Sequence, residues 1–311
     1  MTKIATPLIR LVLLIGLVSP SANLVHRVSA ESGGTVQSLE MTTLDGRTRS
    51  YRIFVPSGYV ASTPTPLVLV FHGALGTSEQ IAGLTEFDTK AETEGFIAVY
   101  PQSTSLPESD FLTAWNVGIN FGDNQTDDVD DVVFIDQLLD SLETSYSTDP
   151  SRIFVTGFSN GGMFTNLLAC QRADRFAAFA PVSGSISIAD CQPGRAVPIL
   201  AIHGKDDRIV NYDGGDLTGS SSHIPAAVDL IADWAAIDGC NSLPIISDVD
   251  KMTQTRFIEC NQGATVALYS IGGLGHSWPG GEWFGSSGVN ASELIWEFFD
   301  SIDPEPEQSL L

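Results

Sequence analysis

The chain of 311 residues contains 43% apolar and 17% charged residues, which favours a globular protein with a substantial core over a disordered chain. Its 38 acidic and 15 basic side chains leave a net charge of -23, and such a surface repels nucleic acids and other polyanions. We therefore expect no nucleic-acid partner. A chain of this length has room for one large α/β domain or two small ones.

The first 30 residues have the pattern of an export signal. Lys3 and Arg10 give a positive start, and residues 11–18 form an unbroken apolar run. The small residues at 28–30 (VSA) offer a cleavage site, with Ala22 as an earlier option. The run is too short to span a bilayer as a stable helix, so we expect a cleaved signal peptide, a secreted protein and no stable membrane insertion. Cleavage would remove three basic side chains and no acidic one, which moves the net charge from -23 to -26.

From residue 31 onward the sequence alternates predicted strands and helices. A hairpin that turns at Asp45-Gly46 comes first, and short apolar runs then alternate with stretches of helical spacing. The predicted strands include PLVLVFHG, GFIAVYP, RIFVTG, FAAFAPVSG, VPILAIHG and ATVALYSI. The predicted helices lie near 86–94, 131–146, 161–170, 224–237 and 291–302. This alternation predicts a mainly parallel sheet with helices on both faces, in a single α/β domain over residues 31–311.

A serine flanked by glycines follows one of these strands. Gly157-Phe-Ser-Asn-Gly161 is the only GxSxG motif of the chain, and it lies between an apolar strand and a helical segment. A nucleophile elbow occupies this position in a sheet, because its backbone turns so sharply that larger neighbours would clash. We therefore expect Ser159 to be a nucleophile exposed at the carboxyl edge of the sheet. The alternative is a glycine-rich turn with an ordinary serine.

A serine hydroxyl needs a general base, and the base needs an acid that orients it. In this type of sheet the acid and then the histidine follow the serine along the chain, each after a later strand. Asp206 and Asp207 follow the strand VPILAIHG, and His276 lies in a glycine-rich loop after the strand at 266–271. Among the five histidines, His276 alone combines this order with such a loop.

Two backbone amides are candidates for an oxyanion hole. One is the N–H of Asn160 at the start of a helix, and the other is the N–H of Ala74 in the loop FHGALG. Two aromatic side chains in nearby loops, Trp115 and Trp278, either line a substrate pocket or pack in the core, and the sequence leaves both possibilities open. Such a site implies no metal and no organic cofactor.

Four cysteines occur, and none forms a CxxC pair of the kind that binds zinc. An even number of cysteines in an exported chain favours two disulfides, for which three pairings are possible. We favour Cys170–Cys191 and Cys240–Cys260, because each pair flanks a short local segment. Reduced, buried cysteines are the alternative.

These motifs together resemble those of the secreted polyhydroxybutyrate depolymerase and feruloyl esterase-like family of α/β-hydrolases. The resemblance extends over nearly all of residues 36–302, and its blocks are the His72-Gly73 loop, DDVVFI, GFSNGGM, HGKDD with YDGG, GLGHSWPGG and ASELIWEFF. It implies the α/β-hydrolase fold, and it places the family's serine and histidine on Ser159 and His276. The family's acid, the fourth residue after the histidine of the HG block, falls on Asp207. Relatives often have cysteines in similar places, which agrees with the two favoured pairs.

The sequence thus predicts an exported serine carboxylic ester hydrolase that works through an acyl-enzyme. Two substrate classes remain open: feruloyl or acetyl esters of plant polysaccharides, and short hydroxyalkanoate oligomers. An acyltransferase on the same fold is an alternative, since exclusion of water decides between acyl acceptors. A catalytically silent binding protein is another, although it would have no need for the complete set of serine, acid and histidine.

Overall fold

The computed structural model of the protein describes residues 28–29, 33–105, 113–119, 129–217, 220, 222–241, 243–281 and 288–302. The predicted export signal, residues 1–30, therefore lies outside the described residues apart from a two-residue strand. No helix of the described residues is long and apolar enough to cross a bilayer.

A mixed β-sheet, of 11 strands in the described ranges, runs through the molecule. In chain order the strands of the described residues are β1 (Val28–Ser29), β2 (Thr35–Thr42), β3 (Thr48–Val55), β4 (Thr65–Phe71), β5 (Ile97–Pro101), β6 (Thr148–Phe158), β7 (Ala178–Val182), β8 (Ile199–Gly204), β9 (Gly215–Asp216), β10 (His223–Ile224), β11 (Ile245–Val249), β12 (Met252–Phe257) and β13 (Val266–Ile271). Their order across the sheet is β1-β2-β3-β5-β4-β6-β7-β8-β13-β12-β11, and β9 pairs separately with β10. The strands from β5 across to β13 are parallel, and antiparallel strands flank them on both sides.

Helices cover both faces of this sheet. In the described residues they are α1 (Ser78–Thr85), α2 (Phe87–Glu94), α3 (Asp131–Ser145), α4 (Asn160–Gln171), α5 (Ala227–Ile237) and α6 (Ala291–Asp300). Buried side chains of α3, α4 and α5 pack in one apolar cluster, and those of α1, α2 and α6 pack in another. Alternate residues of β4 join the two clusters: Leu67 and Leu69 belong to the first, and Val68 and Val70 to the second. The predicted α/β class, with helices on both faces of a mainly parallel sheet, is confirmed.

The structure adds elements that the sequence pattern does not indicate. Helix α1 precedes the predicted helix at 86–94, and the two helices meet at Glu86, whose backbone is left-handed with φ 53°. The hairpin of β11 and β12 extends the sheet antiparallel at its edge. All five residues of β11 are exposed, so no buried face imposes the alternation by which a strand is recognised in a sequence.

Two disulfides join Cys170 to Cys191 and Cys240 to Cys260, which are the two pairs favoured from the sequence. The first ties the end of α4 to the loop after β7, and the second ties the loop after α5 to the loop before β13. In the chain-entropy account, closing loops of 21 and 20 residues stabilises the folded state by about 3 kcal/mol each. Structural disulfides of this kind persist in oxidising compartments.

Candidate active site

The chain turns sharply from β6 into α4 at Ser159. This residue has φ 57° and ψ -120°, a conformation that is strained for any residue with a Cβ atom. Its N–H donates to the Val182 carbonyl at 2.9 Å, and its own carbonyl accepts the Met163 N–H at 2.9 Å. The hydroxyl is consequently held at the carboxyl end of β6, beside the first turn of α4.

Close packing at this turn explains two of the neighbouring glycines. A Cβ on Gly157 would lie 2.4 Å from the Gly161 carbonyl oxygen. One on Gly161 would lie 2.4 Å from the carbonyl oxygen of Phe71, the last residue of β4. Both obstructing atoms belong to the backbone, so neither can move aside without displacing a strand or a helix. The glycines therefore allow α4 to approach β4 and β6 as closely as the turn demands.

Three polar side chains from different loops meet at this edge of the sheet. His276 Nε2 lies 2.9 Å from Ser159 Oγ, and His276 Nδ1 lies 2.7 Å from Asp207 Oδ2. The serine follows β6, the aspartate follows β8 and the histidine follows β13. Because a carboxylate only accepts, Nδ1 donates its proton to Asp207 and leaves Nε2 of the neutral ring to accept the serine O–H. The neighbouring Asp206 is exposed and contributes its backbone N–H to the Leu274 carbonyl.

Asp207 is buried, and both of its oxygens are engaged. Oδ1 accepts the N–H groups of Ile209 and Val210 at 2.9 and 3.0 Å, and Oδ2 faces His276. Burial alone raises the pKa of Asp207. The imidazoles of His203 and His276, together with the Ile209 N–H, outweigh burial and hold that pKa well below its usual range. The carboxylate is therefore ionised at neutral pH and fixes the tautomer of the His276 ring.

His203, the next to last residue of β8, touches the same carboxylate. It is 4% exposed, its Nε2 donates to the Val210 carbonyl at 2.8 Å, and this nitrogen lies 3.4 Å from Asp207 Oδ2. Its place four residues before the acid in HGKDD is the one sequence signal for this contact. The ring of His276 also packs against Phe158, with ring centroids 4.8 Å apart.

The two predicted oxyanion amides both lie close to Ser159. Asn160 is the first residue of α4, and Ala74 lies in the loop after β4. A Cβ on Gly73 would lie 3.2 Å from the Ser159 Cβ, so this loop passes directly against the serine. Within the part of the chain that the structure describes, neither the Ala74 N–H nor the Asn160 N–H donates to a protein acceptor. Neither N–H is thus already engaged by that part of the protein, as an oxyanion donor requires.

A buried histidine holds the loop after β4. His72 is 1% exposed, and its Nδ1 donates to the Gly73 carbonyl at 2.7 Å. Its Nε2 accepts the Ser103 N–H and the side-chain amide of Gln102, each at 3.1 Å. Burial lowers the pKa of His72 to about 4, so the ring is neutral at pH 7 and serves as a fixed bridge between loops.

The two tryptophans considered as pocket residues are buried, each with 1% of its surface exposed. Trp115 Nε1 donates to the His72 carbonyl at 2.9 Å, and the indole stacks on Phe164. Trp278 Nε1 donates to Ser292 Oγ at 3.1 Å. Of the two possibilities that the sequence left open for Trp115 and Trp278, a substrate pocket or packing in the core, their burial favours packing. Both indole N–H groups are satisfied internally, as buried indoles require.

In contrast to the two buried tryptophans, two exposed aliphatic side chains lie within two residues of site residues in the chain. Leu75, directly after Ala74, is 60% exposed and has φ 63°, and Ile209, two residues after Asp207, is 49% exposed. Sequence reasoning missed both, because a single aliphatic residue in a loop has no periodic pattern. Both are exposed apolar side chains close in sequence to Ala74 and Asp207.

Residues 55–227 match the family model described as the dienelactone hydrolase family. The chain is 30% identical over 230 residues to feruloyl esterase B of Piromyces equi, a match that covers 71% of this chain and 41% of that protein. It is 28% identical over 255 residues to a probable feruloyl esterase C of Aspergillus niger, with 81% and 83% covered. The chain thus spans less than half the length of the Piromyces relative.

A solved structure with a similar architecture is an acetyl xylan esterase from Aspergillus awamori. It has a TM-score of 0.58 and 18% sequence identity, and the match covers 85% of this chain and 99% of that one. At this level of identity the likeness establishes the fold alone. The fold is the α/β-hydrolase fold, as the sequence resemblance implied.

We expect Gly161→Ala to destabilise the protein markedly, because the added methyl group would meet the Phe71 and His72 carbonyl oxygens at 2.4 and 2.6 Å. Gly83→Ala is the matched control, since a Cβ at this exposed position of α1 meets nothing within 4 Å. The control should gain about 0.5–1 kcal/mol from helix propensity. Thermal unfolding of the three proteins measures both effects, and an unchanged melting temperature for Gly161→Ala would contradict the packing described for the turn.

Proposed function

The chain belongs to the dienelactone hydrolase family, and on this premise we propose that it is a carboxylic ester hydrolase with Ser159 as nucleophile. His276 is the general base in this proposal, and Asp207 orients it. The observation that carries the proposal is the continuous hydrogen-bond chain from Ser159 Oγ through both nitrogens of His276 to Asp207, with separations of 2.9 and 2.7 Å. The names of the relatives, which are esterases, support the reaction class.

The proposed reaction proceeds through an acyl-enzyme. Ser159 Oγ attacks the ester carbonyl carbon while His276 Nε2 takes the serine proton, and the N–H groups of Ala74 and Asn160 donate to the oxyanion. The tetrahedral intermediate collapses, and the imidazolium returns the proton to the leaving alcohol. A water molecule then attacks the acyl group, again with His276 as base, and releases the carboxylic acid and free serine.

The ionised Asp207 supports this cycle in two ways. It keeps the proton of neutral His276 on Nδ1, so that Nε2 faces the serine, and it stabilises the imidazolium that forms during the attack. Its low pKa means that the carboxylate keeps its charge throughout, since the hydrogen bonds to it outweigh the effect of burial.

Replacing Asp207 by Asn should lower kcat on the order of 10³–10⁴-fold, because an amide no longer enforces the required tautomer. Asp206→Asn is the matched control, since this adjacent acid is exposed and outside the hydrogen-bond chain, and we expect its kcat within about twofold of wild type. Steady-state kinetics on a simple ester compares the two. The assignment of the orienting acid fails if Asp206→Asn, and not Asp207→Asn, loses activity.

We further propose feruloyl or acetyl esters of plant polysaccharides as the substrate class. Two relatives are named feruloyl esterases, and a third, from Neocallimastix patriciarum, is named a bifunctional acetylxylan esterase/xylanase. Leu75 and Ile209, which are exposed and close in sequence to Ala74 and Asp207, are candidates for contact with the acyl group. Export of the protein is part of the proposal as well, supported by the two disulfides and by the apolar run at 11–18.

The substrate proposal predicts faster cleavage of methyl hydroxycinnamates or acetylated xylan than of 3-hydroxybutyrate oligomers by the purified protein. Ser159→Ala should lower kcat on every substrate by at least about 10⁴-fold, because the acyl-enzyme cannot form. The measurement is kcat/KM across the three substrate groups. Preferential cleavage of the oligomers would reassign the substrate class, whereas undiminished activity of Ser159→Ala would refute the catalytic assignment.

A further inference from the structure

The two proposed oxyanion donors stand on different elements of the fold. The Ala74 N–H belongs to the loop after β4, and the Asn160 N–H belongs to the first turn of α4. An oxyanion accepts from both only if each donor lies about 2.7–3.1 Å from the same oxygen. The loop and the helix must therefore be held at a fixed separation.

The loop after β4 is held by hydrogen bonds to residues 113–116, hereafter the strap. The Leu75 N–H donates to the Thr113 carbonyl at 2.7 Å, and Thr113 Oγ1 donates back to the Gly76 carbonyl at 2.7 Å. Trp115 Nε1 donates to the His72 carbonyl at 2.9 Å. Three hydrogen bonds thus fasten the strap along both ends of the loop that carries Ala74.

The first turn of α4 is held to the same strap by the side chain of Asn160. Its Oδ1 accepts the Trp115 N–H at 2.7 Å, and its Nδ2 donates to the Trp115 carbonyl at 3.2 Å. Asn160 and Trp115 are each 1% exposed, so both bonds lie away from water. A side chain that supplies one donor and one acceptor to a single backbone residue fixes orientation as well as distance.

A buried ion pair anchors the strap in turn. The Asn116 N–H donates to Asp131 Oδ2 at 2.8 Å, and Asp131 Oδ1 pairs with Arg49 at 2.6 Å. Arg49 also donates to the carbonyl of Gln102, whose side-chain amide donates to His72. The strap and the oxyanion loop are therefore tied to one network through two separate routes.

From these contacts we propose that the strap is a positioning element for ester hydrolysis, which sets the distance between the Ala74 and Asn160 N–H groups. The proposal rests on the function proposed above, because it assumes that these two amides bind the oxyanion. The strap residues themselves touch no reacting atom. Their effect is on the stabilisation of the transition state and not on the binding of the ground-state ester.

Trp115→Phe tests the proposal, because it removes the N–H that bonds to the His72 carbonyl and keeps an aromatic ring in place. Trp234→Phe is the matched control: this fully buried indole also donates at 2.9 Å, to Asn166 Oδ1, within the packing of α5 against α4. Both substitutions should lower the melting temperature to a similar extent, because each removes one buried indole N–H and part of a buried ring. Stability alone therefore does not separate the two variants.

The two variants should differ in catalysis. For Trp115→Phe we expect kcat to fall about 10-fold or more with KM within about twofold, as for loss of an interaction made in the transition state. Its affinity for a boronic acid, which forms a tetrahedral adduct with Ser159, should fall by a similar factor. Trp234→Phe should keep both values within about twofold of wild type.

Thr113→Val provides a second variant, because it removes only the hydroxyl that bonds to the Gly76 carbonyl. It should lower kcat and boronate affinity in the same direction and leave KM nearly unchanged. If Trp115→Phe and Thr113→Val match Trp234→Phe in kcat and in boronate affinity, the proposal is overturned. Ser159→Ala tests the function separately, so an inactive Ser159→Ala beside normal strap variants overturns the strap alone.

Discussion

At Ser159 the backbone passes from β6 into α4 within one residue, at φ 57° and ψ -120°. A residue held in such a conformation stores on the order of 1–3 kcal/mol of strain and keeps it only where its surroundings are fixed. Backbone hydrogen bonds to Val182 and Met163 hold Ser159 in this conformation. Glycines at 157 and 161 add to this, because they allow the neighbouring backbones to come into contact. The backbone therefore fixes where the serine side chain leaves the turn, and the remaining groups of the site must be arranged around it.

Parallel strand pairing brings those groups to the same edge of the sheet. In the pairing of β8 with β13, Gly204 lies opposite Ile271, so the loops that follow leave the sheet side by side. The Asp206 N–H then donates to the Leu274 carbonyl at 2.9 Å, which joins the two loops just before Asp207 and His276. The short hydrogen bond between the Asp207 and His276 side chains therefore follows from the register of β8 and β13.

The strand order also explains how much the sequence could predict. Serine, acid and histidine each follow an apolar run and come in a fixed order, so their meeting at the carboxyl edge followed from topology. The order of the elements left Asp206 and Asp207 equivalent, because the choice depends on which side chain turns inward, and only the family resemblance indicated Asp207. The orientation of Trp115 was equally out of reach: its partners at 72 and 160 lie 43 and 45 residues away in sequence, and no local pattern records such contacts.

Labelling with a fluorophosphonate, followed by peptide mass analysis, tests the central claim most directly. The account predicts one adduct, on the peptide that contains Ser159, because among the serines that the structure describes only this one has an activating base at 2.9 Å. Ser183 is an internal control, since it has a similar left-handed backbone with φ 47° but is buried. Absence of labelling at Ser159, or equal labelling of the Ser159→Ala variant, would contradict the claim that this strained turn presents an activated nucleophile.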